Sequence, residues 1–308
     1  MKSDSRKTPD NERLLEGASL YQATTYSLTS EEKAMSYAIE GREPVQLAMP
    51  MSEERSRLRL SIIPQLLEAL SYNVARQHES VALYEIGSVF LNEGKDVQPE
   101  EREHIAGAIT GLWVENEWQG EKKPVDFYVI KGILEGLFDK LGVAEQIEWR
   151  ASERDGMHPG RTAEIILAGE VIGFAGQVHP NKQKDLDLKN TYVFEVKASP
   201  IFHFELPELQ YTPIPRFPSI SRDIALVADK NVTAGSLEKI IKDAGGKLLT
   251  EVHMFDLYEG EHMEEGKKSI AFSLTYLDRE KLLQTKRLLK HMKSACRIKR
   301  KAGAELRG

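Results

Sequence analysis

Two short stretches place charged side chains where a stiff backbone would hold them. In "PRFPSISRDIALV", residues 215–227, Pro215 and Pro218 precede the adjacent pair Arg222–Asp223, which opens a run of strand-forming residues. A guanidinium there can meet a phosphate or a base edge with its planar fork, and the neighbouring carboxylate could orient it. In "HPGRTAEI", from His158, a Pro-Gly turn separates a histidine from Arg161 at a strand entrance. Arg161 is a candidate contact for an anion or for another subunit. The alternative is structural, with Arg161 capping carbonyl groups of its own turn or pairing with Glu164.

Signatures of catalysis are missing. "GKKS" at 266–269 resembles the tail of a phosphate-binding loop, but the upstream glycine is absent and a strand follows instead of a helix. The eight histidines show neither HExxH nor i, i+4 pairing, and the one cysteine, Cys296, excludes an internal disulfide and a multi-cysteine metal site. No Gly-x-Ser-x-Gly elbow occurs. No catalytic or metal-ligating residue is assigned.

The elements that must position these residues divide at "FELPELQYTPIPRFPS", residues 204–219, where four prolines make a stiff linker. The reading is a domain over 1–205, a linker over 206–213 and a second domain over 214–308. The first is a strand-rich α+β domain: helices at "ERLLEGASL", from Ser30 to about Ile39, and along "DFYVIKGILEGLFDKLGV" up to Gly142. "YQATTYSL", "VALYEIGSVF" and "HIAGAITGLW" read as strands. "TAEIILAGEVIGFAGQV" reads as two strands turning at Gly169-Glu170. Ser61 is expected to cap a helix with Pro64 in its first turn, its arginine neighbours lying on a solvated face. Short turns between consecutive strands imply a mainly antiparallel sheet flanked by helices.

Beyond the linker, strand and helix patterns follow in the order β-α-β-β-α-β, with the second helix over 285–299 and "AELRG" as a last short strand. That is the split βαβ, ferredoxin-like order, whose sheet is covered on one face only. Phe217, Phe255 and Tyr258 are expected beside Arg222. Aromatic rings next to a guanidinium on an open sheet suit stacking of unpaired RNA bases. Packing into the sheet–helix core is the competing reading; it is the one adopted for Phe255, and both stand for Tyr258.

With 308 residues, 41% hydrophobic and 29% charged, the chain has the composition of a soluble globular protein. No apolar run reaches the roughly 20 residues a membrane helix needs. The N-terminus lacks a secretory pattern, and the lone cysteine fits a cytoplasmic location with no membrane partner. The net charge of −6 hides an asymmetry: residues 281–304 hold nine Lys/Arg and no acid.

Taken in order, "SLYQATTYSLTSEE", "MPMSEERSRLRLSIIPQLLEALSYNVAR", "YEIGSVF", "DFYVIKGILEGL", "HPGRTAEI", "GQVHP", "RFPSISRDIALV", "FDLYEGEHMEEGKKSIAFSLTYLDRE" and "GAELRG" resemble the C-terminal portion of the bacterial phenylalanyl-tRNA synthetase beta subunit. The resemblance implies a class II synthetase-like antiparallel sheet with flanking helices that has lost catalysis, followed by a ferredoxin-fold anticodon-binding domain. It implies an alpha-subunit partner, two alpha and two beta in the full enzyme, with ATP and Mg²⁺ used by the complete enzyme and no cofactor bound by this chain. It makes Phe217, Arg222, Asp223 and Tyr258 candidate contacts for phenylalanine tRNA. The family's chain is longer at its N-terminal side, so this sequence is expected to be a piece of it. A free-standing RNA-binding or assembly module is the alternative. The resemblance lapses between "YLDRE" and "GAELRG", where the family has an acidic opening. Either a compensated frameshift or a basic helix along the tRNA backbone accounts for that.

Overall fold

The computed structural model describes residues 9–94, 97–206, 208, 211, 213–260, 263–283 and 304–306. The chain forms two compact units, Met1–Glu208 and Leu209–Gly308.

The first unit contains, in order, α1 (Pro9–Gly17), β1 (Tyr21–Gln22), β2 (Leu28–Thr29), α2 (Glu31–Met35), β3 (Arg57–Leu58), α3 (Ile63–Val74), β4 (Val81–Leu91) and β5 (Glu100–Thr110). It continues through β6 (Leu112–Asn116), β7 (Glu121–Pro124), α4 (Phe127–Lys140), β8 (Ile147–Ala151) and β9 (Met157–Leu167). It ends with β10 (Glu170–Val178), α5 (Pro180–Asp185), β11 (Thr191–Lys197) and α6 (Ala198–Phe202). Seven strands make one mixed sheet in the order β1-β4-β5-β11-β10-β9-β8, with β1 parallel to β4 and the other pairs antiparallel.

Period-2 alternation sends each central strand into two cores. Tyr84, Ile105, Ile165, Phe194 and Val196 pack with Ile130, Leu134, Leu137 and Phe138 of α4. Val89, Ala106, Ala108, Phe174 and Val193 pack with Ile63, Leu66, Leu67 and Leu70 of α3. Asp126 starts α4 by accepting the Val129 N–H at 2.9 Å, and Gly142, at φ 76°, lets the chain leave it. At α3, Ser61 Oγ accepts the Ile63 N–H at 3.1 Å and Pro64 lies in the first turn.

Three local expectations change. The helix opened by Ser30 stops at Met35, because Tyr37 takes φ 61°, buries its ring in the α3-side core and donates its hydroxyl to Gly156 O. "YQATTYSL" is two short strands in different sheets, since between them the chain turns to put Thr25 Oγ1 on Glu85 Oε2 at 2.6 Å. The β9–β10 turn sits one residue earlier, at Ala168 (φ 48°) and Gly169 (φ 91°). Two consecutive positive φ values match the twist of a two-residue hairpin.

The second unit contains β12 (Ile220–Asp229), α7 (Ala234–Gly245), β13 (Leu249–Tyr258), β14 (Lys267–Tyr276) and β15 (Glu305–Leu306). Its antiparallel sheet has the order β13-β14-β12-β15. Ile224, Leu226, Ala228, Phe272 and Leu274 bury one face with Leu237 and Ile241 of α7. Thr233 caps α7 on the Ser236 N–H, and Gly246, at φ 66°, ends it. The helix expected at 285–299 lies outside the described residues.

Candidate functional site

On β12, Arg222 and Asp223 are both exposed, yet they point to opposite faces: Arg222 pairs with Leu274 and Asp223 with Ser273. Arg222 shares the core-facing side of the strand with Ile220 and Ile224 yet is itself exposed, and its Nη1 donates to Ser221 O at 3.3 Å. Among the described residues no ion pair joins Arg222 to Asp223. The expectation that the aspartate orients the guanidinium is therefore corrected, because consecutive strand residues face apart.

Phe217, half-buried, precedes β12 by three positions. Tyr258 does not adjoin them. It pairs with Ser269, five positions along β14 from the Leu274 that faces Arg222, a separation of about 17 Å at the usual strand rise. Its ring folds back over Gly260, where a Cβ would strike it. Phe255 lies between them and is 52% exposed, contrary to the core-packing expectation. A register shift between Met254 and Asp256 makes it a bulge residue on the edge strand β13, which turns its ring out. Missed from the sequence were exposed Arg216 and Arg279, which the pairing of Ile220 with Tyr276 brings to the Arg222 end. Only the strand register reveals them.

In the first unit, Arg161 belongs to a four-residue excursion. Thr162 pairs with Gly176 and Met157 with Val178, so His158–Arg161 bulge out opposite Gln177 alone. Arg161 Nη1 donates to Gln177 Oε1 at 2.8 Å. Glu164, the partner considered for it, is instead held by Arg150 at 2.8 Å.

The α3-facing side of the large sheet carries a buried polar row that composition did not reveal. Glu195 accepts Ser61 Oγ at 2.5 Å and the Ile62 N–H at 3.2 Å, and contacts His104 Nδ1 at 2.7 Å. Arg59 is buried, not solvated: it reaches Glu85 at 2.9 Å, Thr25 at 2.9 Å and Ser88 O at 2.9 Å. Arg154 lies 4.2 Å over the Phe174 ring and donates to Ala38 O. Burial pulls its pKa down, with Glu195 and Glu164 opposing that. These groups bond one another across the face. Among the described residues no group of three His, Cys, Asp or Glu could hold a metal ion.

The second unit is an antiparallel sheet with α7 on one face, and residues 215–307 match the ferredoxin-fold anticodon binding domain. Residues 3–198 match the phenylalanyl tRNA synthetase beta chain CLM domain, and the chain belongs to that family. It is 57% identical over 297 residues to the phenylalanine–tRNA ligase beta subunit of Bacillus licheniformis and 58% identical over 297 residues to that of Bacillus subtilis. Each alignment covers 96% of this chain and 37% of the relative, so the chain spans about a third of the length of the curated relatives it matches. Among solved structures, a pyrrolysyl-tRNA synthetase of Desulfitobacterium hafniense aligns with a TM-score of 0.45 and 13% identity, covering 62% of this chain and 67% of that one.

Proposed function

We propose that this chain is a non-catalytic part of a phenylalanine–tRNA ligase beta subunit. Residues 1–205 support a catalytic alpha subunit, 206–213 link, and 214–308 bind tRNA(Phe) during ATP-dependent phenylalanylation. The observation that carries this is the succession of the two family domains in one chain, the first with its sheet face filled by its own side chains.

ATP and Mg²⁺ then belong to the alpha subunit of a cytoplasmic assembly of two alpha and two beta chains. The α3-facing side here does not fit them, because its carboxylates are already spent on Ser61, Ile62, His104, Thr25 and Arg59. Charge supports the division of labour. Residues 1–208 hold 23 basic and 35 acidic residues, a net of −12, while 209–308 hold 19 and 13, a net of +6. A polyanion is drawn to the second. Phe217, Arg222, Asp223 and Tyr258 are the proposed RNA contacts, with Tyr258 meeting a different nucleotide from Arg222 because of its distance from it.

Mixing the chain with the alpha subunit at micromolar concentration tests the reading by size-exclusion chromatography. Co-elution is expected. Separate elution, with tRNA still bound by the chain alone, would favour the free-standing RNA-binding module.

A further inference from the structure

We infer that the His158–Arg161 bulge is a built carboxylate-binding contact, through which Arg161 docks an acidic side chain of the protein partner. This rests on the partner-binding role of the first unit proposed above.

Four features hold Arg161 in place. The bulge sets four residues against one, which throws Pro159, Gly160 and Arg161 out to solvent. Its shape is tied by Thr162 Oγ1 donating to His158 O at 2.8 Å and by the Gly160 N–H donating to His158 Nδ1 at 3.1 Å. Gly176 lies beneath it: a Cβ there would come within 2.6 Å of Arg161 O and 2.8 Å of the Thr162 Cα. Finally, Gln177, 3% exposed, receives Arg161 Nη1 and is itself fixed by donating its Nε2 to Asn190 Oδ1 at 3.2 Å. Bulges of this kind re-aim a side chain at the cost of ladder bonds.

The chemistry left over is specific. Gln177 engages only Nη1, through a neutral amide, so the charge of Arg161 is not cancelled. The Nε–Nη2 edge has no partner among the described residues, and that edge is the fork that takes a carboxylate with two parallel bonds. The carboxylate nearest in sequence, Glu164, is occupied by Arg150. A protein carboxylate is favoured over an RNA phosphate because the unit around Arg161 carries a net charge of −12, which repels a polyanion far more strongly than a single carboxylate.

The test is the affinity of the chain for the alpha subunit, by titration in moderate salt, with thermal melting of each variant. Arg161→Ala should weaken binding by roughly 10- to 100-fold with only a small drop in melting temperature from the Gln177 Oε1 left unpaired, and Arg161→Lys should recover only part of that affinity because an ammonium lacks the fork. Gln177→Leu, which releases Nη1 but leaves the charge, should give a smaller loss. Equal affinity of Arg161→Ala and the unsubstituted chain overturns the site while leaving the partner role standing. So does an Arg161→Ala that loses tRNA affinity and keeps subunit affinity, since that makes the ligand a phosphate. Failure of the unsubstituted chain to bind the alpha subunit removes the partner role and the site together.

Discussion

At the scale of residues, Arg222 and Glu40 carry the sharpest expectations. Arg222 is exposed near a strand end and, among the described residues, its side chain bonds only Ser221 O, so its removal disturbs little of the fold. Arg222→Ala should weaken tRNA(Phe) binding by about 1–3 kcal/mol, the scale of a specific arginine contact, at unchanged urea midpoint. Unaltered affinity and salt slope would confine it to structure. Glu40 takes Arg102 at 2.6 Å and Lys197 at 2.9 Å. Burial alone would raise its pKa, but Lys197 and then Arg102 outweigh it and hold the carboxyl below its ordinary value of 4.5. Because the folded pKa is depressed, the stabilisation is present above that ordinary value and is lost as pH falls through the folded one. Urea midpoints against pH should therefore show Glu40→Gln costing stability near neutrality and converging with the unsubstituted chain in acid. Parallel curves throughout would contradict the linkage. The sequence marked Arg222 and Arg161 by their stiff turns, but hid Arg59 and Glu195. Those two are buried only because tertiary pairing satisfies them, which no local pattern encodes.

Among elements, the long alternating strands and the amphipathic α3, α4 and α7 were legible because period fixes the face they bury. Shorter pieces were not: "YQATTYSL" has strand composition, yet the Thr25–Glu85 bond and not propensity decides its course. Phe255 was misjudged for a related reason, since one extra residue in a ladder reverses which side chains face the core. The entry of α3 depends on Glu195, which satisfies both Ser61 and the Ile62 N–H. Glu195→Ala should lower unfolding free energy by about 3 kcal/mol, because buried donors are left without an acceptor. A loss within about 0.5 kcal/mol would mean that the polar row is dispensable. Likewise Gly176→Ala must push back the backbone of Arg161 and Thr162 and should cost about 1–3 kcal/mol. Denaturation at unchanged midpoint would show that the bulge yields freely.

For the whole molecule, the charge split between −12 and +6 gives the two units different electrostatic characters. Nine of the 19 basic residues beyond 208 fall in 281–304. Binding of tRNA by the chain should accordingly fall steeply with salt. Under the function proposed above, the chain supports catalysis without performing it. Phenylalanine-dependent ATP–pyrophosphate exchange, measured on this chain, on the alpha subunit and on their equimolar mixture, tests that most directly. The account predicts background exchange for the chain alone and more exchange in the mixture than with the alpha subunit alone. Exchange by the chain alone, or a mixture no more active than the alpha subunit, would contradict it.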